Sequence, residues 1–173
     1  ISPDVLMNPI LMKPSGDNSS QVILMGKPSG SCNAKNYYAL HKKHKKVVLS
    51  ALQSLREKYE LVIIEGAGSP AEINLKKWDL VNMFIAEHSD SPVIIVGDID
   101  RGGVFAWMKG TYDLLTLQEK KRVKGFIINK FRGDIDLLAP GIKQFEELVP
   151  KPVLGVVPYE KNLVVDEEDS ISK

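Results

Sequence analysis

Four short apolar runs recur along this sequence at intervals of about 30 residues, the length of one strand–helix–strand unit. They occupy residues 61–64, 93–96, 126–128 and 153–157. Each run is rich in valine and isoleucine and is continuous rather than alternating, as in strands that are covered on both faces. The spacing therefore predicts an α/β fold with a mostly parallel sheet flanked by helices.

The segments between these runs show the three- and four-residue apolar spacing of helices. A proline-free stretch over residues 36–59 predicts a long crossover helix, and residues 21–25 predict a short strand. We expect the residues before Ser20 to be irregular, and Asp136 to cap the last helix. The remaining helical faces are predicted from three apolar sets: Trp78, Val81 and Ile85; Val104, Met108, Tyr112 and Leu115; and Leu138, Ile142, Phe145 and Leu148.

Charge and cysteine content exclude several function classes. The 173 residues contain 23 Lys and Arg against 22 Asp and Glu, so the overall charge favours neither nucleic acid nor a membrane surface as partner. A single cysteine, Cys32, excludes an internal disulfide and a multi-thiolate metal site, and we expect a cytoplasmic location. The first residue is Ile1 rather than methionine and residues 166–170 are acidic, which predicts a piece of a longer polypeptide.

Charged residues and glycines follow three of the predicted strands. Glu65 follows the first run, Asp98, Asp100 and Arg101 follow the second, and Asn129 with Lys130 follows the third. Ligands of parallel sheets bind at the carboxyl ends of strands. A carboxylate beside a buried strand also needs a cation, a metal or hydrogen bonds to offset its desolvation. These loops are therefore the candidate site.

Each candidate residue has a structural alternative. Glu65 fits a Mg²⁺ ligand, yet it fits an ion pair with a neighbouring loop equally well. Arg101, Gly102 and Gly103 open a helix and suit an anionic substrate, unless Arg101 only pairs with a nearby aspartate. Asn129 suits a purine edge or an ordinary turn.

No phosphate-binding loop of the form Gly-x-x-x-x-Gly-Lys-[Ser/Thr] occurs in the sequence. Gly26 and Lys27 are followed by Pro28, which has no hydroxyl group for Mg²⁺. The candidate site therefore has strand-end carboxylates without the loop that usually holds the phosphates.

Several motifs together resemble those of the cobyric acid synthase family. They are Glu-Gly-Ala-Gly-Ser-Pro-Ala-Glu-Ile-Asn at 65–74, Asp-Ile-Asp-Arg-Gly-Gly-Val-Phe-Ala at 98–106, Val-Lys-Gly-Phe-Ile-Ile-Asn-Lys-Phe-Arg-Gly-Asp at 123–134 and Val-Leu-Gly-Val-Val-Pro-Tyr at 153–159. Residues 7–14 and the tail at 166–170 also match. The resemblance keeps motif order and spacing along the chain.

This resemblance implies a three-layer, P-loop NTPase fold similar to dethiobiotin synthetase, here without its N-terminal P-loop unit. Residues 1–165 would form part of an ATP-dependent amidoligase domain, and residues 166–173 would begin a linker to a glutamine amidotransferase domain that supplies ammonia. The reaction implied is amidation of peripheral carboxylates of adenosylcobyrinic acid a,c-diamide, with ATP and Mg²⁺. We expect this piece to be inactive alone and expect its exposed sheet to favour a homo-oligomer.

The resemblance also assigns roles by position. Glu65, Asp98 and Asp100 are implied as catalytic, with Glu65 as the magnesium ligand. Ser69, Arg101, Gly102 and Gly103 are implied to bind substrate. The implied nucleotide-binding residues are Asn129, Lys130, Pro158 and Tyr159.

Two other functions stay open. One is a related synthetase, such as dethiobiotin synthetase or cobyrinic acid a,c-diamide synthase, although the motifs at 98–103 and 129–134 argue against both. The other is a non-catalytic binding module, which the missing phosphate loop favours and the charged strand ends disfavour.

Overall fold

The computed structural model describes residues 2–16, 19–32 and 34–161, and it divides into two compact units, residues 1–91 and 92–173. The first unit begins with an antiparallel sheet in the order β1-β2-β3, formed by Ile10–Gly16, Ser19–Leu24 and Lys27–Cys32. Met25 and Gly26 join β2 to β3, and both have positive φ angles, which suits a tight hairpin. The long helix α1 (Ala34–Lys58) and the short helix α2 (Met83–His88) complete this unit.

The predictions for the first unit are partly confirmed. The long helix and the strand at residues 21–25 correspond to α1 and β2. The prediction of irregular structure before Ser20 was wrong, because β1 pairs with β2 from Ile10 to Gly16.

The prediction of a strand at residues 61–64 was also wrong, because the segment is not paired as a strand in the described part of the chain. Leu61 and Ile63 are 76% and 87% exposed. A β-strand exists only where a neighbouring backbone accepts and donates its hydrogen bonds, which apolar character alone cannot supply. The exposed run leaves self-association as a prediction.

The predicted helix through Trp78, Val81 and Ile85 is shorter than expected. A 3₁₀ turn covers Lys76–Trp78, and α2 begins only at Met83. The Asp79 carboxylate accepts hydrogen bonds from the backbone N–H groups of Val81, Asn82 and Phe84. These bonds hold residues 79–84 in a turn, and the helix begins after its N-cap Asn82.

The second unit contains the parallel sheet β4-β5-β6, formed by Val93–Asp98, Val123–Phe131 and Val153–Pro158. The α/β class with a parallel sheet and flanking helices is thereby confirmed. The connecting helices are α3 (Val104–Leu114), α4 (Leu117–Arg122) and α5 (Ile135–Leu148). Asp134, rather than the predicted Asp136, caps α5 by accepting a hydrogen bond from the Asp136 N–H.

Aromatic side chains form the core between the parallel sheet and its helices. Phe126 of β5 is fully buried, and its ring contacts Tyr112 of α3 and Phe145 of α5 at centroid distances of 6.0 and 4.9 Å. Phe105 of α3 lies 5.5 Å from Phe145. This packing holds β5 against α3 and α5, and the parallel pairing of β4, β5 and β6 places their carboxyl ends at one edge. In the described part of the chain, no helix is long and apolar enough to cross a membrane.

Candidate functional site

The carboxyl end of β4 carries a charge cluster centred on Asp98. The Lys130 ammonium group donates a 2.8 Å hydrogen bond to Asp98 Oδ2, and Arg101 Nε lies 4.0 Å from the same oxygen. Asp98 Oδ1 accepts a hydrogen bond from the backbone N–H of Asp100. The parallel register sets Asp98 opposite Asn129, and this pairing brings Lys130 to the carboxylate.

Lys130 reaches Asp98 from an unusual backbone conformation. Its φ angle is +60°, in the left-handed region that residues other than glycine rarely adopt. The Asn129 side chain accepts a hydrogen bond from the Lys130 N–H, and the register with β6 shifts between Ile128 and Phe131. Outliers of this kind concentrate at functional sites, so the geometry directs attention to this strand end.

These contacts keep Asp98 and Lys130 charged. The hydrogen bond from Lys130 holds the pKa of Asp98 below its ordinary value, although burial partly opposes this effect. The same bond raises the pKa of Lys130. Because each group stabilises the charged form of the other, both remain ionised at neutral pH.

A second ion pair lies at the same edge. Arg132 Nε is 3.3 Å from Asp100 Oδ1, and the Arg132 guanidinium carbon lies 3.5 Å from the centroid of the Tyr159 ring. The Tyr159 N–H donates a 2.8 Å hydrogen bond to the carbonyl of Phe131, directly after the pairing of Phe131 with Pro158. The ends of β4, β5 and β6 are therefore connected by side chains as well as by the sheet.

Gly102 and Gly103 shape the loop between β4 and α3. Both have positive φ angles, +75° and +67°, which a side chain would disfavour. Gly103 is the N-cap of α3, so Arg101 precedes the first turn of an 11-residue helix by three residues. The Arg101 side chain is 72% exposed.

The first unit contains the other predicted loop, which carries Glu65 and Ser69. The Asn82 side-chain amide donates a 2.9 Å hydrogen bond to the carbonyl of Ala67, and a Cβ atom at Gly66 would clash with Asn82 Oδ1. Ser69 Oγ accepts a hydrogen bond from the Ala71 N–H. The loop is thus held by α2 through its N-cap residue Asn82.

Glu65 does not have the environment that the sequence predicted. It is exposed, whereas the prediction placed it beside a buried strand where desolvation would demand a partner. Among the described residues, no group of three or more histidine, cysteine, aspartate or glutamate side chains could hold a metal ion. A single carboxylate such as Glu65 fits Mg²⁺ only where phosphates and water supply most of the ligands.

The structure brings all nine predicted site residues of the second unit to one edge. These residues are Asp98, Asp100, Arg101, Gly102, Gly103, Asn129, Lys130, Pro158 and Tyr159. Sequence reasoning did not single out Arg132 or Asn82. For Arg132 the available signal was its position two residues beyond Lys130, in a strand end already rich in charge.

Comparison with known proteins agrees with the motif-based resemblance. Residues 32–167 match a family model described as an AAA domain. The cobyric acid synthase of Sorangium cellulosum is 54% identical over 99% of this chain and 33% of its own length. Those of Clostridium acetobutylicum and Dehalococcoides mccartyi are each 52% identical, over 98% and 99% of this chain and 34% of their own lengths. No solved structure matches the chain.

The chain therefore spans about a third of the length of these curated relatives. The relatives align with nearly all of it, and the family model alone covers well over half of the residues. The resemblance to cobyric acid synthases is thereby confirmed, and the chain belongs to the AAA domain family.

Proposed function

We propose that this chain is part of a carbon–nitrogen ligase that uses ATP and glutamine to amidate peripheral carboxylates of adenosylcobyrinic acid a,c-diamide, giving adenosylcobyric acid. The support is its similarity to cobyric acid synthases, 54% identical over 99% of this chain in one case. The substrate class is anionic, because carboxylic acids are ionised at neutral pH.

The charge pattern at the end of the parallel sheet carries the substrate proposal. The cluster contains three cations, Arg101, Lys130 and Arg132, and two anions, Asp98 and Asp100. Lys130 and Arg132 each have a close carboxylate partner, whereas Arg101 lies 4.0 Å from a carboxylate that Lys130 already holds. Arg101 is thus the cation most available for a substrate carboxylate, beside the helix N–H groups that follow Gly102 and Gly103.

Asp98 and Asp100 have the catalytic roles in this proposal. Asp98 stays ionised because Lys130 donates a hydrogen bond to it. A fixed carboxylate near the bound substrate orients incoming ammonia by accepting its hydrogen bonds. Ser69 of the first unit is assigned to the substrate as well.

ATP supplies the chemistry that makes amide formation favourable, by converting the substrate carboxylate into an activated form that ammonia can attack. Asn129, Lys130, Pro158 and Tyr159 are assigned to the nucleotide, and Glu65 to Mg²⁺. The exposed carboxylate of Glu65 fits a metal whose other ligands are phosphates and water. The 173 residues contain no phosphate-binding loop, so we assign the phosphate contacts to a part of the whole protein outside this chain.

The proposal extends to the organisation of the whole protein. Residues 1–165 form part of the amidoligase domain, and residues 166–173, which lie outside the described residues, begin a linker to a glutaminase domain that supplies ammonia. We place the protein in the cytoplasm and expect this piece to have no ligase activity by itself.

Corrinoid binding tests the substrate assignment. Adenosylcobyrinic acid a,c-diamide should bind the 173-residue chain more tightly than adenosylcobyric acid, in which more of the peripheral carboxylates are amidated, as measured by calorimetry. Arg101→Met should weaken binding of the diamide about tenfold, as expected for loss of a charged hydrogen bond. Arg56→Met, on the exposed surface of α1, is the matched control and should leave binding unchanged.

Equal affinity for the two corrinoids, or equal effects of the two arginine variants, would contradict the assignment of Arg101. Nucleotide binding gives a separate test. We expect negligible affinity of this chain for Mg-ATP, and tight magnesium-dependent binding in the same calorimeter would disprove the assignment of the phosphate contacts to another part of the protein.

A further inference from the structure

Arg132 contacts residues from the two strand ends on either side of its own. It follows β5, and its side chain lies between Asp100, in the loop after β4, and Tyr159, directly after β6. The Nε atom is 3.3 Å from Asp100 Oδ1, and the guanidinium carbon is 3.5 Å from the Tyr159 ring centroid. One side chain therefore spans the whole width of the three-stranded sheet end.

The two contacts use different parts of the guanidinium group. A distance of 3.5 Å to the ring centroid places the guanidinium over the face of Tyr159, while Nε at its edge pairs with Asp100. A planar, delocalised cation makes both contacts at once, whereas the ammonium group of a lysine is a compact point charge. The arrangement is therefore specific to arginine.

A backbone hydrogen bond fixes the position of Tyr159 relative to Arg132. The backbone N–H of Tyr159 donates to the carbonyl of Phe131, the residue immediately before Arg132. The guanidinium group is thus held over the ring by the sheet, and a movement of the ring changes the position from which Arg132 reaches Asp100.

The contacts add little to the stability of the fold. The Arg132 and Asp100 side chains are 53% and 46% exposed, so water and salt screen the pair. Exposed ion pairs and exposed cation–π contacts each change an equilibrium by only about two- to fivefold. The main effect of these contacts is to position the side chains of Asp100 and Tyr159, which belong to different parts of the proposed site.

We propose that Arg132 is a positioning residue that couples Tyr159, on the nucleotide side of the site, to Asp100, in the substrate loop. A nucleotide that shifts the Tyr159 ring would move Arg132 and thereby change the orientation of the Asp100 carboxylate. The names of the two sides rest on the proposed function, but the coupling between the two side chains does not.

NMR of the 173-residue chain without ligand tests the coupling. Tyr159→Leu removes the ring, so the Arg132 Nε–H proton should lose its ring-current shift and the side-chain ¹³C signal of Asp100 should move, although Asp100 is unchanged. Tyr159→Phe keeps the ring face and is the matched control, with both signals expected near their original positions. In an Arg132→Met background, Tyr159→Leu should no longer move the Asp100 signal.

Arg132→Lys provides an independent test that leaves Asp100 and Tyr159 unchanged. It should move the Asp100 signal as Tyr159→Leu does, because lysine keeps the charge but not the stacked plane. The proposal is overturned if the Asp100 signal is insensitive to Tyr159→Leu or to Arg132→Lys, or if it responds to Tyr159→Leu equally with and without Arg132. Since no ligand is used, a failure of corrinoid binding and a failure of this coupling are separate results.

Discussion

Replacing Gly97 by alanine tests how the β4 end is held against α3. Gly97 directly precedes Asp98, and it is buried. A Cβ atom at this position would lie 2.7 Å from a methyl group of Val104 and 2.9 Å from both Cγ and Sδ of Met108. Carbon atoms pack best about 3.5–4.0 Å apart, so the new methyl group overlaps its neighbours by about 1 Å.

The surroundings cannot easily absorb this overlap. Met108 and Val104 are 1% and 3% exposed, and valine in a helix has one strongly preferred rotamer. Overpacking of a core costs about 1–3 kcal/mol. Alanine also restricts the unfolded chain, which returns about 0.4–1 kcal/mol. We therefore expect the free energy of unfolding to fall by roughly 1–2 kcal/mol.

Gly110→Ala is the matched control, because it adds the same methyl group to α3 itself. No atom lies within 4 Å of the Cβ position at Gly110. Glycine within a helix is less stable than alanine by about 0.5–1 kcal/mol, so this variant should be stabilised by that amount.

Urea denaturation followed by NMR measures both variants. Trp107 is in the second unit and Trp78 in the first, so their two indole signals report the units separately. A Gly97→Ala variant as stable as the original chain by the Trp107 signal would refute the close packing of β4 on α3. A loss of similar size in Gly110→Ala would show that the loss in Gly97→Ala does not come from the contact between β4 and α3.

Three further predictions follow from other described contacts. Burial lowers the pKa of His41 and His44, so the folded state binds fewer protons than the unfolded state. The free energy of unfolding should therefore be unaffected by pH above about pH 6.5 and should decrease as the pH is lowered below that value. Urea titrations at several pH values measure this dependence. A double variant that combines His41→Gln with His44→Gln and keeps the same pH dependence of the unfolding free energy would contradict this prediction. Lys130→Met should raise the pKa of Asp98 towards its ordinary value in a carboxyl ¹³C titration, because it removes the hydrogen bond that contributes most to lowering that pKa. An unchanged pKa would show that Lys130 and Asp98 do not form this hydrogen bond. Thr116→Ala should lower the unfolding free energy by about 0.5–2 kcal/mol through loss of a capping box, with Thr116→Ser retaining most of it.

Much of the second unit followed from local sequence patterns. The apolar runs at 93–96, 126–128 and 153–157 correspond to β4, β5 and β6, and the predicted helical faces correspond to α3 and α5. The face of α3 follows from the side chains that the helix buries, Val104, Met108 and Tyr112, which lie four residues apart. The prediction that the strands are covered on both faces was wrong for β4, where Ile94 and Val96 are 47% and 57% exposed.

Strand pairing in the first unit did not follow from such patterns. β3 contains Pro28 and Gly30 with polar neighbours, a composition that predicts a turn, yet β2 pairs with it. Residues 61–64 have the composition of a buried strand, yet they are not paired in the described chain, and Leu61, Ile63 and Ile64 are exposed. Hydrogen bonding between strands depends on a partner distant in sequence, which composition does not specify.

The candidate site also combines features that the sequence predicts with contacts that only the tertiary structure reveals. Its residue types, and their position after apolar strands, could be read from the sequence, and so could the short-range pairing of Asp98 with Arg101, three residues away. Lys130 and Asp98 are 32 residues apart, and only the parallel register of β4 and β5 brings them together.

The sequence by itself determined the α/β class, the order of the strands and main helices in the second unit, and the charged loops at the strand ends. Tertiary structure decided which charges are neutralised, that Glu65 lies exposed, and that Arg132 links Asp100 to Tyr159. The physical reason is range: helix and strand patterns depend on neighbours a few residues apart, whereas an ion pair or a stacked ring depends on how whole strands align.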